Sequence, residues 1–269
     1  VSATNRGAER EPHDSYPTPR WAIRRLLEEV ALPRGAWLEP CAGEGAIVRE
    51  IAPYADEICA IEILPACREP LTEALVQAGK SGVKKSGVKI DDYLVQKRPR
   101  RRFNVVITNP PFSLGFEIAK KAVTEADFVV LLLRLNFLGS GDKSGRSEWL
   151  RRHPPDVYVL PNRPAFVASL RCVSKNMLSP LHVLPPHTRE IEKHVGSTCP
   201  WRTTLPIEAE RPKRCPWCDG KVSCSTTDAT EYAWFVWLAD KRAHLEQSEF
   251  GKIKILATTP ASEREAHGK

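Results

Sequence analysis

Five consecutive residues, Thr108-Asn109-Pro110-Pro111-Phe112, bring together groups that can hold an amino group attached to an aromatic ring. Two prolines after an asparagine remove backbone donors and stiffen the chain, so the Asn109 side-chain oxygen and the Pro110 carbonyl can face one amine as paired acceptors. Phe112 adds a stacking face. An exocyclic base amine is a poor nucleophile because its lone pair is delocalised into the ring. Acceptors for its two protons favour the attacking geometry, and a base flipped out against Phe112 would meet both demands. The competing reading is a proline-rich turn that ends a strand.

Glu39-Pro40-Cys41-Ala42-Gly43-Glu44-Gly45 is a second candidate. Its glycines stand at alternate positions after a short apolar run, which lets the backbone approach a ligand where a helix begins. Glu62 lies 19 residues beyond Gly43, at the end of the next apolar run, where a carboxylate can accept hydrogen bonds from ribose hydroxyls. A tight turn beside an exposed glutamate is the bland alternative. Five of the eight cysteines fall between Cys172 and Cys224, and that crowding suggests a metal. Cys215-Pro216-Trp217-Cys218 has knuckle spacing, and Cys172 with Cys199 could complete a tetrahedral thiolate site. Cys224, His182, His187 and His194 are rival ligands, and a metal-free loop of unpaired thiols is the alternative. Four thiolates would leave no open position, so such a zinc would be structural. Cys41, Cys59 and Cys67 read as buried or half-buried strand and loop residues.

The elements that must position these groups alternate between strand and helix. Residues 16–30 place Ile23, Leu26, Leu27 and Val30 at helical spacing behind Thr18-Pro19, read as N-cap and first turn. Strands are expected at 36–39, 57–63, 88–90, 103–108 and 128–135, with helices at 46–52, 65–78 and 114–124. Later strands are expected at 157–160, 232–238 and 253–258. The run at 128–135 is apolar on both faces up to Arg134, as in a sheet covered by helices on both sides. The fold class is therefore α/β, doubly wound, with a small insertion. Residues 14–160 and 231–260 form the main domain, 161–230 the Cys-rich module, and 1–13 and 261–269 are flexible tails. Lys80-Ser81-Gly82-Val83-Lys84 is repeated as residues 85–89, which suggests a solvated loop. The basic run at 97–102 is expected beside the ligand edge, either in phosphate contact or as a solvated turn. Arg134 and Asn136 either line the same cleft or cap a strand.

A chain of 269 residues with 42% apolar content can bury a sizeable core. Its longest unbroken apolar run, around Tyr232–Leu238, is far short of the roughly 20 residues of a membrane-spanning helix, so no membrane role is expected. The polar Val1–Glu11 reads as neither signal nor transit peptide, so the expected location is cytoplasmic. A net charge of +7 favours an anionic partner, nucleic acid first.

In order along the chain, Tyr16-Pro17-Thr18-Pro19, Leu38–Gly45, Glu62, Asp92-Tyr93-Leu94 and Asn109-Pro110-Pro111-Phe112 resemble an S-adenosylmethionine-dependent DNA adenine-N6 methyltransferase of the phage and prophage type. The resemblance covers most of residues 14–170 and the stretch 231–237. It implies a Rossmann-like mixed sheet, S-adenosylmethionine as cofactor and DNA as partner. It also implies that Tyr16, Pro17, Thr18, Glu39, Cys41, Ala42, Gly43 and Gly45 hold the methionine and nucleoside parts of the cofactor. Glu62 would meet the ribose, and Asp92 the adenine with Tyr93 beside it; Asp91 precedes Asp92, so either carboxylate is placed for that role. Asn109, Pro110, Pro111 and Phe112 would hold the target adenine, with Asn109 also next to the cofactor. In related chains the insertion looks like a zinc ribbon, which implies Cys172, Cys199, Cys215 and Cys218 as Zn²⁺ ligands. Rival readings are methyl transfer to an RNA base or a protein glutamine, and a non-catalytic zinc-containing nucleic-acid-binding protein.

Overall fold

The computed structural model describes residues 17–139, 144–162, 164, 167–172, 202–206, 212–216, 221–225, 231–238 and 251–260. The chain divides into two compact units: one of residues 9–164 and 229–264, the other of residues 165–228 with both chain ends.

The larger unit is built on an eight-stranded sheet. In chain order it contains α1 (Arg20–Glu29), β1 (Ala36–Glu39), α2 (Ala46–Ile51), β2 (Glu57–Glu62), α3 (Arg68–Lys80), β3 (Lys85–Ile90), β4 (Phe103–Thr108), α4 (Gly115–Glu125) and β5 (Ala126–Arg134). Helix α5 (Arg146–Arg152) and strand β6 (Asp156–Val159) follow. The smaller unit contributes β7 (Val167–Cys172), β8 (Arg202–Pro206) and β9 (Val222–Ser225). The chain then completes the large sheet with β10 (Tyr232–Leu238) and β11 (Ile253–Ile255).

The strand order is β11-β6-β10-β5-β4-β1-β2-β3. All neighbouring pairs are parallel except those of β10, which runs against both β5 and β6. The α/β mixed sheet expected from the sequence is therefore present. β2 and β3 lie on one side of β1, while β4 and β5 lie on the other. The loops after β1 and β4 consequently diverge, and a crevice opens at the carboxyl ends of these two strands, where ligands bind in open α/β sheets.

Residues of β5 and β10 are buried over most of their length, with Tyr232, Trp234, Phe235 and Trp237 almost wholly enclosed. Apolar side chains of this size carry most of the burial free energy. The Trp234 indole N–H also donates to the Ala22 carbonyl at 2.8 Å, tying β10 to α1. Buried Glu50 of α2 accepts from Arg20 and, at 2.7 Å, from Arg24, so α1 is held to the layer by charge as well. Helix α1 starts with Pro19 at the N-cap position and without a side-chain cap, whereas the sequence suggested Thr18 for that role; Thr18 is buried instead.

Two expectations are corrected here. The second copy of the Lys-Ser-Gly-Val-Lys repeat is not a loop but most of β3, paired in register with β2 from Glu57↔Lys85 to Glu62↔Ile90. An edge strand needs only one partner, and lysines on it suit its exposed side. The basic run at 97–102 lies at the amino edge, opposite the crevice, because it precedes β4. Arg98 donates to the Thr124 carbonyl at 2.7 Å. Arg102 reaches Asp127 at 3.1 Å and the carbonyls of Thr124 and Ala126, while Arg101 pairs with Glu57. Arg98 and Arg102 satisfy the carbonyl end of α4 and the start of β5, as cations do at helix C-termini. Their position removes the reading that they contact phosphate at the ligand edge.

In the smaller unit β7 pairs antiparallel with both β8 and β9. This three-stranded sheet and helix α5 were not anticipated. Short strands in a Pro-, Cys- and His-rich stretch carry little alternation, and their pairing joins residues more than 30 apart in the chain.

Trp234→Phe, which leaves the Ala22 carbonyl without its indole donor and removes part of a buried ring, is expected to cost about 2 kcal/mol. A lower urea midpoint with an unchanged m-value would show it.

Candidate active site

At the carboxyl end of β1, Glu39 is 2% exposed, and its Oε2 has no hydrogen-bond partner. Burial pushes its carboxyl well above the usual range, and the Glu62 charge adds to the shift; a backbone hydrogen bond at Val48 and Arg49 oppose it less strongly. A buried acceptor of this kind favours a cationic group. Cys41 follows, half-buried, its thiol held protonated first by burial and then by the charges of Glu62 and Glu39. It packs as a small apolar side chain rather than as a nucleophile.

The glycine loop is braced from two sides. Glu62 accepts from the Gly43 N–H through Oε2 at 2.7 Å and from the Leu64 N–H through Oε1 at 2.9 Å. Ala42, which is buried, donates to the Ile61 carbonyl at 2.9 Å. Gly43 adopts φ 51° and faces open space, so a side chain there would enter the volume beside the loop. Gly45, at φ 83°, has a different duty: a Cβ would sit 2.6 Å from that of Ala74 on α3. One glycine clears room at the crevice and the other lets α2 pack closely on α3.

Beyond β3, Asp92 Oδ1 accepts from the Leu94 N–H at 2.8 Å and caps a short 3₁₀ turn, Tyr93–Val95. Asp91 pairs with Lys89 at 2.9 Å and accepts from the Asp92 N–H, which holds its carboxyl below the usual range. Tyr93 points into the core, where its hydroxyl donates to Glu125 of α4 at 2.9 Å. Glu125 in turn pairs with Lys121 at 2.8 Å. Tyr93 therefore anchors the turn that carries Asp92. Two large apolar side chains that the motif reading passed over, Ile63 and Val95, are exposed on these turns. The available signal was their position, immediately after Glu62 and within the Asp92 turn.

At the end of β4, Thr108 is buried and Asn109 is half-buried, with Asn109 Oδ1 enclosed and without a hydrogen-bond partner. Pro110 is buried, while Pro111 and Phe112 are half-buried. The Leu114 N–H donates to the Pro111 carbonyl at 2.8 Å, closing the turn into α4. The Phe112 ring lies 5.5 Å from that of Tyr232, and the Arg134 guanidinium sits 4.6 Å from its centroid. Asn136 is exposed in the 3₁₀ turn after β5.

Of the residues proposed to touch a cofactor, Pro17 is half-buried and Thr18 buried, and Tyr16 lies outside the described residues. Among the proposed metal ligands, Cys172 ends β7 and Cys215 is buried, while Cys199 and Cys218 lie outside the described residues. Among the described residues no group of three or more His, Cys, Asp or Glu side chains is placed to hold a metal ion. No helix among them is long and apolar enough to cross a membrane.

No family model matches the chain, and no curated protein matches it. Its structure is similar to the 23S rRNA methyltransferase ErmE, at 25% identity over 46% of this chain and 49% of that one, with a TM-score of 0.39. It is also similar to a dimethyladenosine transferase from Plasmodium falciparum, at 13% identity over 54% and 55% of the two chains and a TM-score of 0.42. An rRNA methylase from Streptococcus thermophilus shares 13% identity over 51% and 84%, with a TM-score of 0.39. The chain thus spans about half the length of the first two.

Glu39 supplies a pH test. Its folded-state pKa is raised above an unfolded value near 4.5, so its contribution to stability is fully present below that value and lost as pH rises through the folded one. Glu39→Gln is expected to unfold at a higher temperature than the parent at pH 8. The advantage should vanish at pH 4, and melting curves at the two values check it.

Proposed function

We propose that this chain transfers the methyl group of S-adenosylmethionine to the N6 amine of adenine in DNA. One observation carries the reading: Asn109 Oδ1 is a buried acceptor without a partner, beside two prolines and an aromatic ring at the carboxyl end of β4. Leaving such an atom unsatisfied costs free energy, and a bound amine would relieve it.

S-adenosylmethionine, when bound, supplies an electrophilic methyl on a sulfonium. The residues around β1 suit it: Glu39 Oε2 offers a buried, unpartnered acceptor for the ammonium group, and Gly43 leaves open space beside a braced loop. Glu62 keeps accepting capacity for ribose hydroxyls, since an ionised carboxylate has about four lone-pair sites and two are used. Asp92 is the freer of the two carboxylates on its turn, because both oxygens of Asp91 are engaged. The same reading assigns Pro17, Thr18, Cys41, Ala42 and Gly45 to the cofactor's surroundings, together with Tyr16, which lies outside the described residues.

In the reaction Asn109 Oδ1 and the Pro110 carbonyl accept from the two N–H groups of the adenine amine and draw its lone pair out of the ring plane. Phe112 holds the base by stacking. The N6–CH₃ bond forms as the CH₃–S⁺ bond breaks, sulfur leaves as a neutral thioether, and N6 gives up one proton to solvent. Catalysis consists of positioning and charge stabilisation.

A structural zinc in the smaller unit belongs to the same proposal, held by Cys172, Cys199, Cys215 and Cys218. The backbone register supports it: Cys172 is paired with Val222, whose neighbour Lys221 forms an antiparallel bridge with Arg214, the residue before Cys215. Cys224 lies further into the sheet, opposite Leu170.

Incubation with S-adenosylmethionine and unmethylated DNA, RNA or protein extract, followed by mass spectrometry, tests the reaction. N6-methyldeoxyadenosine in the DNA sample alone is expected. Because the acceptor pair does not distinguish deoxyribose from ribose or a base from an amide, label in RNA or on glutamine would replace DNA as substrate, and none would overturn the enzymatic reading. Asn109→Ala should abolish turnover while leaving cofactor affinity within a few-fold by calorimetry. Elemental analysis of the purified protein is expected to find about one zinc per chain, lost in Cys215→Ser.

A further inference from the structure

The last residue of β5 is an arginine whose surroundings the proposed chemistry leaves unused. In the β4–β5 register Thr108, the end of β4, pairs with Leu131, so β5 runs three residues further, to Arg134. At about 3.3 Å per residue this carries Arg134 roughly 10 Å past the end of β4, over the edge where Asn109–Phe112 lie.

There the guanidinium sits 4.6 Å from the Phe112 ring centroid and 6.0 Å from that of Tyr232, its own cross-strand partner. The Arg134 Nε is buried without a hydrogen-bond partner, and the side chain forms no ion pair among the described residues. Several other arginines of this unit are engaged by carboxylates: Arg20 and Arg24 on Glu50, Arg101 on Glu57, Arg102 on Asp127. Arg134 is thus a cation orientated by two rings, with no anion opposite it among the described residues. A planar guanidinium fixed in this way presents paired donors suited to a phosphodiester.

We propose that Arg134 binds the backbone phosphate next to the target nucleotide, so that Phe112 serves both the flipped base on one side and the arginine that holds its phosphate on the other. This rests on the nucleic-acid reading of the site given above. Two anions could meet Arg134, a nucleic-acid phosphate or the carboxylate of the cofactor. The sheet order favours the first: β5 stands two strands, about 10 Å, from β1, with β4 between, whereas Gly43, Gly45 and Glu62 belong to the β1–β2 side.

The test measures binding of an unmethylated DNA duplex by fluorescence anisotropy from 50 to 200 mM NaCl, with S-adenosylhomocysteine present, for the parent protein, Arg134→Met and Arg134→Lys. Loss of one phosphate contact should flatten the slope of log K against log salt by about 0.9 in Arg134→Met, while the lysine variant keeps the slope. Calorimetry with S-adenosylhomocysteine should give the same affinity for all three. An unchanged slope in Arg134→Met overturns the proposal, whether cofactor affinity holds, which makes Arg134 a brace for Phe112, or falls, which assigns its anion to the cofactor. Since this readout is equilibrium binding, a protein that binds DNA with the expected slopes but methylates nothing would fail the enzymatic reading and keep this one. A parent that binds no DNA fails both.

Discussion

The candidate site depends on one topological constraint, the divergence of the chain at the carboxyl ends of β1 and β4. These strands are parallel neighbours, yet the chain leaves β1 toward β2 and leaves β4 toward β5 on the opposite side. Two loops from distant stretches of sequence therefore border one crevice. Glu39 and the glycine loop line one side, Asn109 to Phe112 the other. In the proposed reaction neither loop makes a site alone, because the transfer of a group between two ligands requires both to be held within bonding distance.

Around this crevice the fold leaves polar atoms unsatisfied in the places where the proposed chemistry would use them. Glu39 Oε2 and Asn109 Oδ1 are buried without partners, while the supporting groups are engaged: Glu62 by two backbone N–H donors, which hold it and leave further lone pairs, Glu125 by Tyr93 and Lys121, Glu50 by two arginines. Engaged polar groups fix positions, and unsatisfied ones create affinity for a ligand that completes them. The contrast between Gly43 and Gly45 follows the same division. Gly45 serves packing on α3, and Gly43 keeps space open.

Much of this was legible in the chain. Strand and helix alternation follows from apolar periodicity, and the strand expected at 128–135 follows from a run apolar on both faces, which needs no tertiary information to be recognised. The Asn-Pro-Pro-Phe segment and the glycine loop are local in sequence, so their chemistry can be read there. The failures have physical causes as well. The five-residue repeat looked like a loop because lysine and glycine density reports solvation, and an exposed edge strand is also solvated. The basic run at 97–102 was placed at the wrong edge because its neighbour in sequence is the ligand-bearing strand, although six residues of β4 separate the two ends.

What the sequence by itself determined is most elements of the large sheet, the α/β class and the identity of the groups that could accept an amine or a cation, because these depend on periodicity and on residue type over short stretches. Only the tertiary structure decided which groups were already taken. Tyr93 is turned inward by Glu125, Asp91 is occupied by Lys89, Arg98, Arg101 and Arg102 are spent on carbonyls and carboxylates, and Arg134 stands over Phe112 with no anion among the described residues. Apart from Asp91 and Lys89, these partners come from different elements, 22 to 44 residues apart in the chain, and the distance between them is set by the order of strands in the sheet, which no local pattern encodes.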